Sequence, residues 1–218
     1  MAGVLDVDRP RTPYGRWDRV RPATRAYAAL AAVDAVLAGT ARSRERRLTK
    51  PLLMPLLAVG RDRPTQRALA LSGAGDVALL GSGDAAFRVG LGSFLAAHLA
   101  WIAALRARPG GGRVAARPVL ALPYAVGWAG LNAVLWPRTG KDRWPVVIYS
   151  TVLAGTAVAA LDGNDPRAGA GGALFLVSDG LLALHRFAGV ALPGHEAWVM
   201  TTYTAAQALL AAGGEDRS

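Results

Sequence analysis

Apolar stretches nearly free of charge alternate with short arginine-rich segments along most of the chain. Eight of them can be drawn, over residues 23–40, 48–63, 66–83, 87–106, 117–137, 145–161, 167–186 and 194–213. A helix crossing the hydrocarbon core of a bilayer needs about 20 residues, so eight use about 160. Most of the 218-residue chain is therefore expected inside the membrane, and any chemistry inside the bundle. The pattern predicts an all-α integral membrane protein, a bundle of about eight transmembrane helices forming a single domain over 23–213. The second stretch is the weakest, because its apolar kernel PLLMPLLAVG at 51–60 rises only about 15 Å. Either Lys50 and Arg61 snorkel at the ends of a full span, or the segment is a re-entrant half-helix. The full span is favoured.

Residues 1–22 break this pattern. They hold Asp6, Asp8, five Arg and three Pro and read as a disordered cytoplasmic tail. They lack the apolar run of a signal peptide, so the first apolar stretch is expected to direct insertion.

Composition and charge narrow the class. Hydrophobic residues make up 52% and charged residues 18%, yet mean hydropathy is only +0.26, because Ala and Gly fill much of the apolar sequence. The absence of Cys excludes a disulfide scaffold, a Cys-ligated zinc site and a thiol nucleophile. The net charge of +10 sits in segments that bracket the apolar runs, as in polytopic membrane proteins. A nucleic-acid partner would need a basic face on a soluble domain, and none is expected. In an eight-span chain, 15 Lys and Arg fall on the side of the N-terminus and 10 on the other. That asymmetry predicts both termini in the cytoplasm, and the chain is read as a multi-pass protein of the plasma membrane. Oligomeric state is left open.

Polar side chains are costly in hydrocarbon and turn toward the bundle interior. Here their spacing follows the helix period. Ser72 and Asp76 lie four apart. Gly90, Phe94 and His98 share one face, as do Tyr124, Trp128 and Asn132, and Glu196, Met200, Tyr203 and Gln207. Ser178 and Asp179 sit near the middle of their stretch, and Tyr27 and Asp34 lie seven apart. At least five helices can thus contribute to one polar cavity. Asp34 is read as a packing residue paired with an Arg or a backbone group, and His185 and His195 as interfacial. Trp144 and Trp198 are read as belt or packing residues, and Gly169, Gly171 and Gly172 as a close helix contact.

Three chemistries can be compared. A serine-hydrolase elbow is absent, since Gly81-Ser82-Gly83 lacks its spacing. A zinc site needs about three clustered ligands, and His98 is the one His well inside a stretch; a mixed Asp/His site stays open. Two intramembrane carboxylates, Asp76 and Asp179, remain as a general acid and base. Unlike surroundings let one donate a proton while its neighbour stays ionised. No metal or cofactor is expected.

Several segments, in order, resemble the YhhN family. They are Lys50-Pro51 in TKPLLMPLLA, Ser72 and Gly75-Asp76 in ALSGAGDVALL, and Gly90, Phe94 and His98 in GLGSFLAAHLAW. Tyr149 in PVVIYS, Phe175, Ser178 and Asp179 in GALFLVSD, and Tyr203 and Gln207 in TTYTAAQALL continue the series. The resemblance extends from about residue 25 to 213. It implies a multispan membrane protein, usually of eight helices. Animal members of the family include lysoplasmalogenases, which hydrolyse the vinyl ether bond of lysoplasmalogens to a fatty aldehyde and glycerophosphoethanolamine or glycerophosphocholine. The implied substrate is a lysophospholipid drawn from membrane lipid. Asp76 and Asp179 are then the catalytic candidates. Lys50, Ser72, His98, Tyr149, Ser178, Tyr203 and Gln207 are the substrate-binding candidates, with Ser72 and Ser178 orienting the carboxylates and Lys50 meeting the lipid phosphate. Two other readings fit the same residues: a proton- or cation-coupled transporter, and a metal-dependent membrane lipid amidase or esterase.

Overall fold

Caps and prolines decide where the helices begin and end. Asp62 accepts a hydrogen bond from the Thr65 amide at 2.8 Å, with Pro64 in the first turn, and starts α3 (Arg63–Ala78). Asp165 accepts from the Arg167 amide at 3.0 Å, followed by Pro166, and starts α8 (Pro166–Ala188). Both satisfy amides left open in a first turn. Gly189 ends α8 in the left-handed region at φ 68°, where its amide and that of Val190 bond back to His185 and Leu184. That is the glycine-dependent termination expected of a helix C-terminus.

The computed structural model describes the backbone of residues 14–213 and the side chains from residue 22 onward. No strand occurs among the described residues. The remaining helices are α1 (Tyr14–Gly39), α2 (Ser43–Ala58), α4 (Gly83–Arg106), the single turn α5 (Arg113–Ala116), α6 (Leu122–Leu135), α7 (Arg143–Asp162) and α9 (His195–Ala212). A 3-10 turn, Pro118–Ala121, leads into α6. The first part of the tail, residues 1–13, lies outside the described residues. Helix α1 begins within the stretch read as tail and carries Pro22 inside it.

The helices close into a ring. In order around it, α1, α2, α3, α4, α7, α8 and α9 each pack on the next, and α9 returns to α1. Helix α6 stands outside, against α7 and α8, and only 11% of the span it forms with the preceding turn is buried. Its polar face therefore serves a local seam rather than the ring interior. Asn132 Nδ2 donates to Ser150 Oγ at 3.0 Å and Trp128 Nε1 to Thr151 Oγ1 at 3.1 Å. This differs from the expectation that the Tyr124–Trp128–Asn132 stripe faces a shared cavity. The spacing correctly selected one face of α6, but that face meets α7.

Among the described residues, four spans are long and apolar enough to cross a membrane: Gly83–Arg106, Pro118–Leu135, Gly140–Asp162 and Pro166–Ala188. Helices α2 and α3 have 16 residues each and rise about 24 Å, short of a core about 30 Å thick. Thr, Tyr and Gln dilute the hydropathy of α9. Outward-facing Val36, Leu52, Val89, Leu99, Val126 and Ile148 are exposed, as lipid-facing positions would be.

Close helix approach depends on glycine at one crossing above all. A Cβ on Gly172 would lie 2.8 Å from Ala157 Cα of α7, and one on the adjacent Gly171 2.9 Å from the Leu210 amide nitrogen of α9. The three-glycine segment thus seats α8 between α7 and α9, as small residues do where membrane helices touch. Gly172→Val is expected to lower stability by about 1–3 kcal/mol through overpacking, read as a lower thermal midpoint of the purified protein in detergent. Ala at exposed Gly92, where a Cβ meets nothing within 4 Å, should not lower that midpoint and should raise it slightly, since Ala is the better helix former.

Candidate active site

Asp76 lies on the inner face of α3, one residue after Gly75. A Cβ on Gly75 would stand 2.6 Å from the Phe94 ring, so glycine there lets α4 press its aromatic ring against α3. Asp76 as a whole residue is left 1% exposed. Both of its carboxylate oxygens are engaged. Lys50 Nζ of α2 is 3.2 Å from Oδ1, and the Tyr203 hydroxyl of α9 donates to Oδ2 at 2.7 Å. One turn further along α9, Gln207 Nε2 donates to the Tyr203 oxygen at 3.2 Å. An ammonium on one oxygen and a phenol on the other leave neither oxygen of Asp76 free.

Asp179 on α8 has different surroundings. The Tyr149 hydroxyl of α7 donates to its Oδ2. His98 Nε2 of α4 lies 3.2 Å from the Tyr149 oxygen and 3.8 Å from the same carboxylate oxygen. These contacts leave Oδ1 uncommitted, and the side chain is 13% exposed, against 2% for Asp76. Phe175, one turn before Asp179, separates the two clusters. Its ring meets His98 edge-on at 4.6 Å between centroids and Tyr203 at 5.5 Å.

Both carboxylates line one cavity of about 90 Å³. Lys50, Tyr149, Ser178 and Tyr203 share its wall with apolar side chains such as Leu79, Leu91, Phe94, Val146 and Met200. At its mouth, a wider vestibule of about 480 Å³ takes in Arg46, His185, Arg186 and Glu196, with Lys50 and Phe87 common to both spaces. The shape suits an amphiphile, with an apolar slot inside and charged groups where the polar end emerges.

The structure brings together most of the residues expected here and redirects three. Asp76, Asp179, Lys50, Tyr149 and Tyr203 face the cavity, while His98 and Gln207 stand behind Tyr149 and Tyr203. Ser178 lines the cavity, but its Oγ donates to the Val199 carbonyl at 3.1 Å, so it ties α8 to α9 instead of orienting Asp179. Adjacent residues on a helix are about 100° apart, which points the two side chains in different directions. Ser72 is fully buried, has no hydrogen-bond partner among the described residues and lies off the cavity wall. Lys50 sits at the throat, as expected, yet its ammonium is committed to Asp76 rather than held open for a phosphate.

Other expectations are met or modified. Asp34 packs as anticipated, accepting from Thr49 Oγ1 at 2.6 Å with Arg46 Nε at 3.5 Å. His195 is 7% exposed and stacks near His185 at 4.6 Å between centroids, so it is packed rather than interfacial. Trp144 and Trp198 are exposed near helix ends, in keeping with a belt. Phe87 and Arg186, which line both spaces, carried no periodic signal because each sits near the end of an apolar stretch. Among the described residues, no three His, Asp or Glu side chains gather as a metal site would require.

No solved structure matches the chain. Curated relatives named lysoplasmalogenase, from Mycobacterium bovis (strain ATCC BAA-935 / AF2122/97) and Mycobacterium tuberculosis (strain CDC 1551 / Oshkosh), are each 38% identical over 140 residues. Each alignment covers 59% of this chain and 51% of the relative, so the chain spans about half the length of the curated relatives it matches. The YhhN family model matches residues 45–214, which takes in α2 from Glu45, every helix from α3 to α9 and all the cavity residues described above. The chain belongs to the YhhN family.

Proposed function

We propose that this protein is an intramembrane lipid hydrolase that cleaves the vinyl ether bond of lysoplasmalogens, yielding a fatty aldehyde and glycerophosphoethanolamine or glycerophosphocholine. The observation that carries the reading is a pair of carboxylates with unlike partners on one apolar cavity. The relatives named lysoplasmalogenase supply the substrate class.

The chemistry of a vinyl ether explains why unlike carboxylates suit it. The bond resists base and yields to acid, and the slow step is protonation of the alkene carbon remote from oxygen. In the proposed mechanism Asp179, free at Oδ1, gives that proton, and its new charge faces the oxocarbenium ion it has made. Asp76, held as an anion by Lys50 and Tyr203, adds electrostatic stabilisation and accepts a proton as water bonds to the cationic carbon. The resulting hemiacetal collapses: its C–O bond to the glyceryl oxygen breaks, and that oxygen takes up a proton. Of the two water protons, one restores the acid and the other ends on the released alcohol. Tyr149 and His98 orient Asp179, and Tyr203 and Gln207 orient Asp76. Incubating purified, detergent-solubilised protein with a 1-alkenyl lysophospholipid tests this by aldehyde release. With no gradient present, release also separates hydrolysis from transport. Release that survives a chelator separates it from a metal-dependent amidase or esterase.

The same reading has the chain cross the plasma membrane eight times, with α2 and α3 fitting by local thinning of the bilayer and both termini cytoplasmic. The vestibule, built at the α1–α2, α3–α4 and α8–α9 connections, then opens on the opposite side. Reporter fusions at the two ends are expected to report the cytoplasm together. Ends on opposite sides would make one segment re-entrant.

A further inference from the structure

We propose that the vestibule is a two-pole receptor for a zwitterionic head group, with Arg186 holding the phosphate and Glu196 the ammonium. The inference rests on the lysolipid reading above and names residues that select its polar end.

The vestibule residues Arg46, Lys50, Arg186 and Glu196 do not act as four independent charges. Lys50 is neutralised by Asp76 at 3.2 Å. Arg46 lies 3.5 Å from Asp34 Oδ2 and 3.9 Å from Glu196 Oε2, so one cation stands between two anions. Asp34 is fully buried and also bonded to Thr49, which leaves the surplus negative charge on Glu196, 49% exposed. The opposite holds across the opening. Arg186 Nη2 is 3.6 Å from Asp84 Oδ1, while Lys141 Nζ takes Asp84 Oδ2 at 3.0 Å. Two cations share one anion there, and Arg186 is the one that reaches the vestibule. Its guanidinium stacks 3.7 Å above the Phe87 ring, which limits its freedom and leaves its edge for bidentate contact with phosphate oxygens.

A single-sign basic mouth would suit any anionic lipid. A mouth with one positive and one negative pole suits a phosphodiester that ends in an amine. Arg186 also lines the inner cavity with Asp76 and Asp179. A phosphate held there would leave the chain attached to its glycerol free to enter the apolar slot.

The test measures binding without cleavage, using 1-acyl lysolipids, which lack the vinyl ether. Purified protein carrying a fluorescent lysophosphatidylcholine is titrated with lysophosphatidylcholine, lysophosphatidylethanolamine or lysophosphatidate. Glu196→Gln is expected to weaken the two amine-bearing lipids about three- to fivefold, the range of a half-exposed ion pair, and to leave lysophosphatidate unchanged. Glu196→Lys should weaken the amine-bearing lipids further and tighten lysophosphatidate. Arg186→Gln should weaken all three. Equal weakening of the three lipids by Glu196→Gln, or no effect of Arg186→Gln in a protein that elutes as a single folded species, overturns the two-pole receptor. If the binding pattern holds but the wild type releases no aldehyde from the 1-alkenyl lipid, the receptor stands and the hydrolase reading falls.

Discussion

Asp179→Asn is expected to reduce aldehyde release from a 1-alkenyl lysophospholipid by about 10²–10⁴-fold, the usual contribution of a general acid. Asn keeps the size of the side chain and an oxygen that can accept from Tyr149, so the α7–α8 contact should survive and the loss should fall on kcat. Asp76→Asn should lose turnover on the same scale. The double variant should lose little more than either single one, because groups that act in one step do not contribute additively. Aldehyde appearing over time, normalised to folded protein by gel filtration, is the measurement. An Asp179→Asn protein that folds and retains most of its turnover would remove the acid from the mechanism.

Lys50→Met should have the largest effect on stability. It removes the ammonium 3.2 Å from the carboxylate of Asp76, a residue 1% exposed. Breaking a buried pair by deleting one partner costs about 3–5 kcal/mol, because the other charge is left without compensation. The paired variant Lys50→Met, Asp76→Asn should regain most of the lost thermal midpoint, since no buried charge then remains. It should not regain turnover, since the carboxylate assigned to the water step is gone. Stability and activity separate in this variant, which a purely structural ion pair would not produce. An unchanged midpoint for Lys50→Met alone would show that Asp76 does not depend on the ammonium.

What could be read from the chain followed from local periodicity and the cost of polar groups in hydrocarbon. Gly90, Phe94 and His98 fall on one helix face wherever that helix sits, and a bilayer leaves such a face nowhere to turn but inward. The same reasoning found Asp76, Tyr203 and Gln207, and it read Asp34 as a packing residue. It marked the three-glycine segment of α8 as a contact, because only a close neighbour explains so many missing side chains. Helix α1 begins well before its apolar stretch, and α2 and α3 each end five residues before theirs.

The order of helices around the ring was not legible, and much else depends on it. Whether Asn132 meets a cavity or α7 is settled by where α6 stands, and its spacing is the same in either case. Ser178 was drawn to Asp179 by adjacency in sequence, but α9 brings the Val199 carbonyl to its hydroxyl. Lys50 read as a free cation at a span end until α2 and α3 packed side by side and set it against Asp76. Glu196 read as the first residue of a polar face and Arg186 carried no signal, and only the closure of α8 and α9 beside α3 and α4 sets them in one vestibule. Periodicity acts over a few residues and determines which face of a helix is polar. Which groups those faces meet is decided by contacts between helices, from Lys50 with Asp76 on adjacent α2 and α3 to Tyr203 with Asp76 at a separation of 127 residues, and these exist only once the helices have packed.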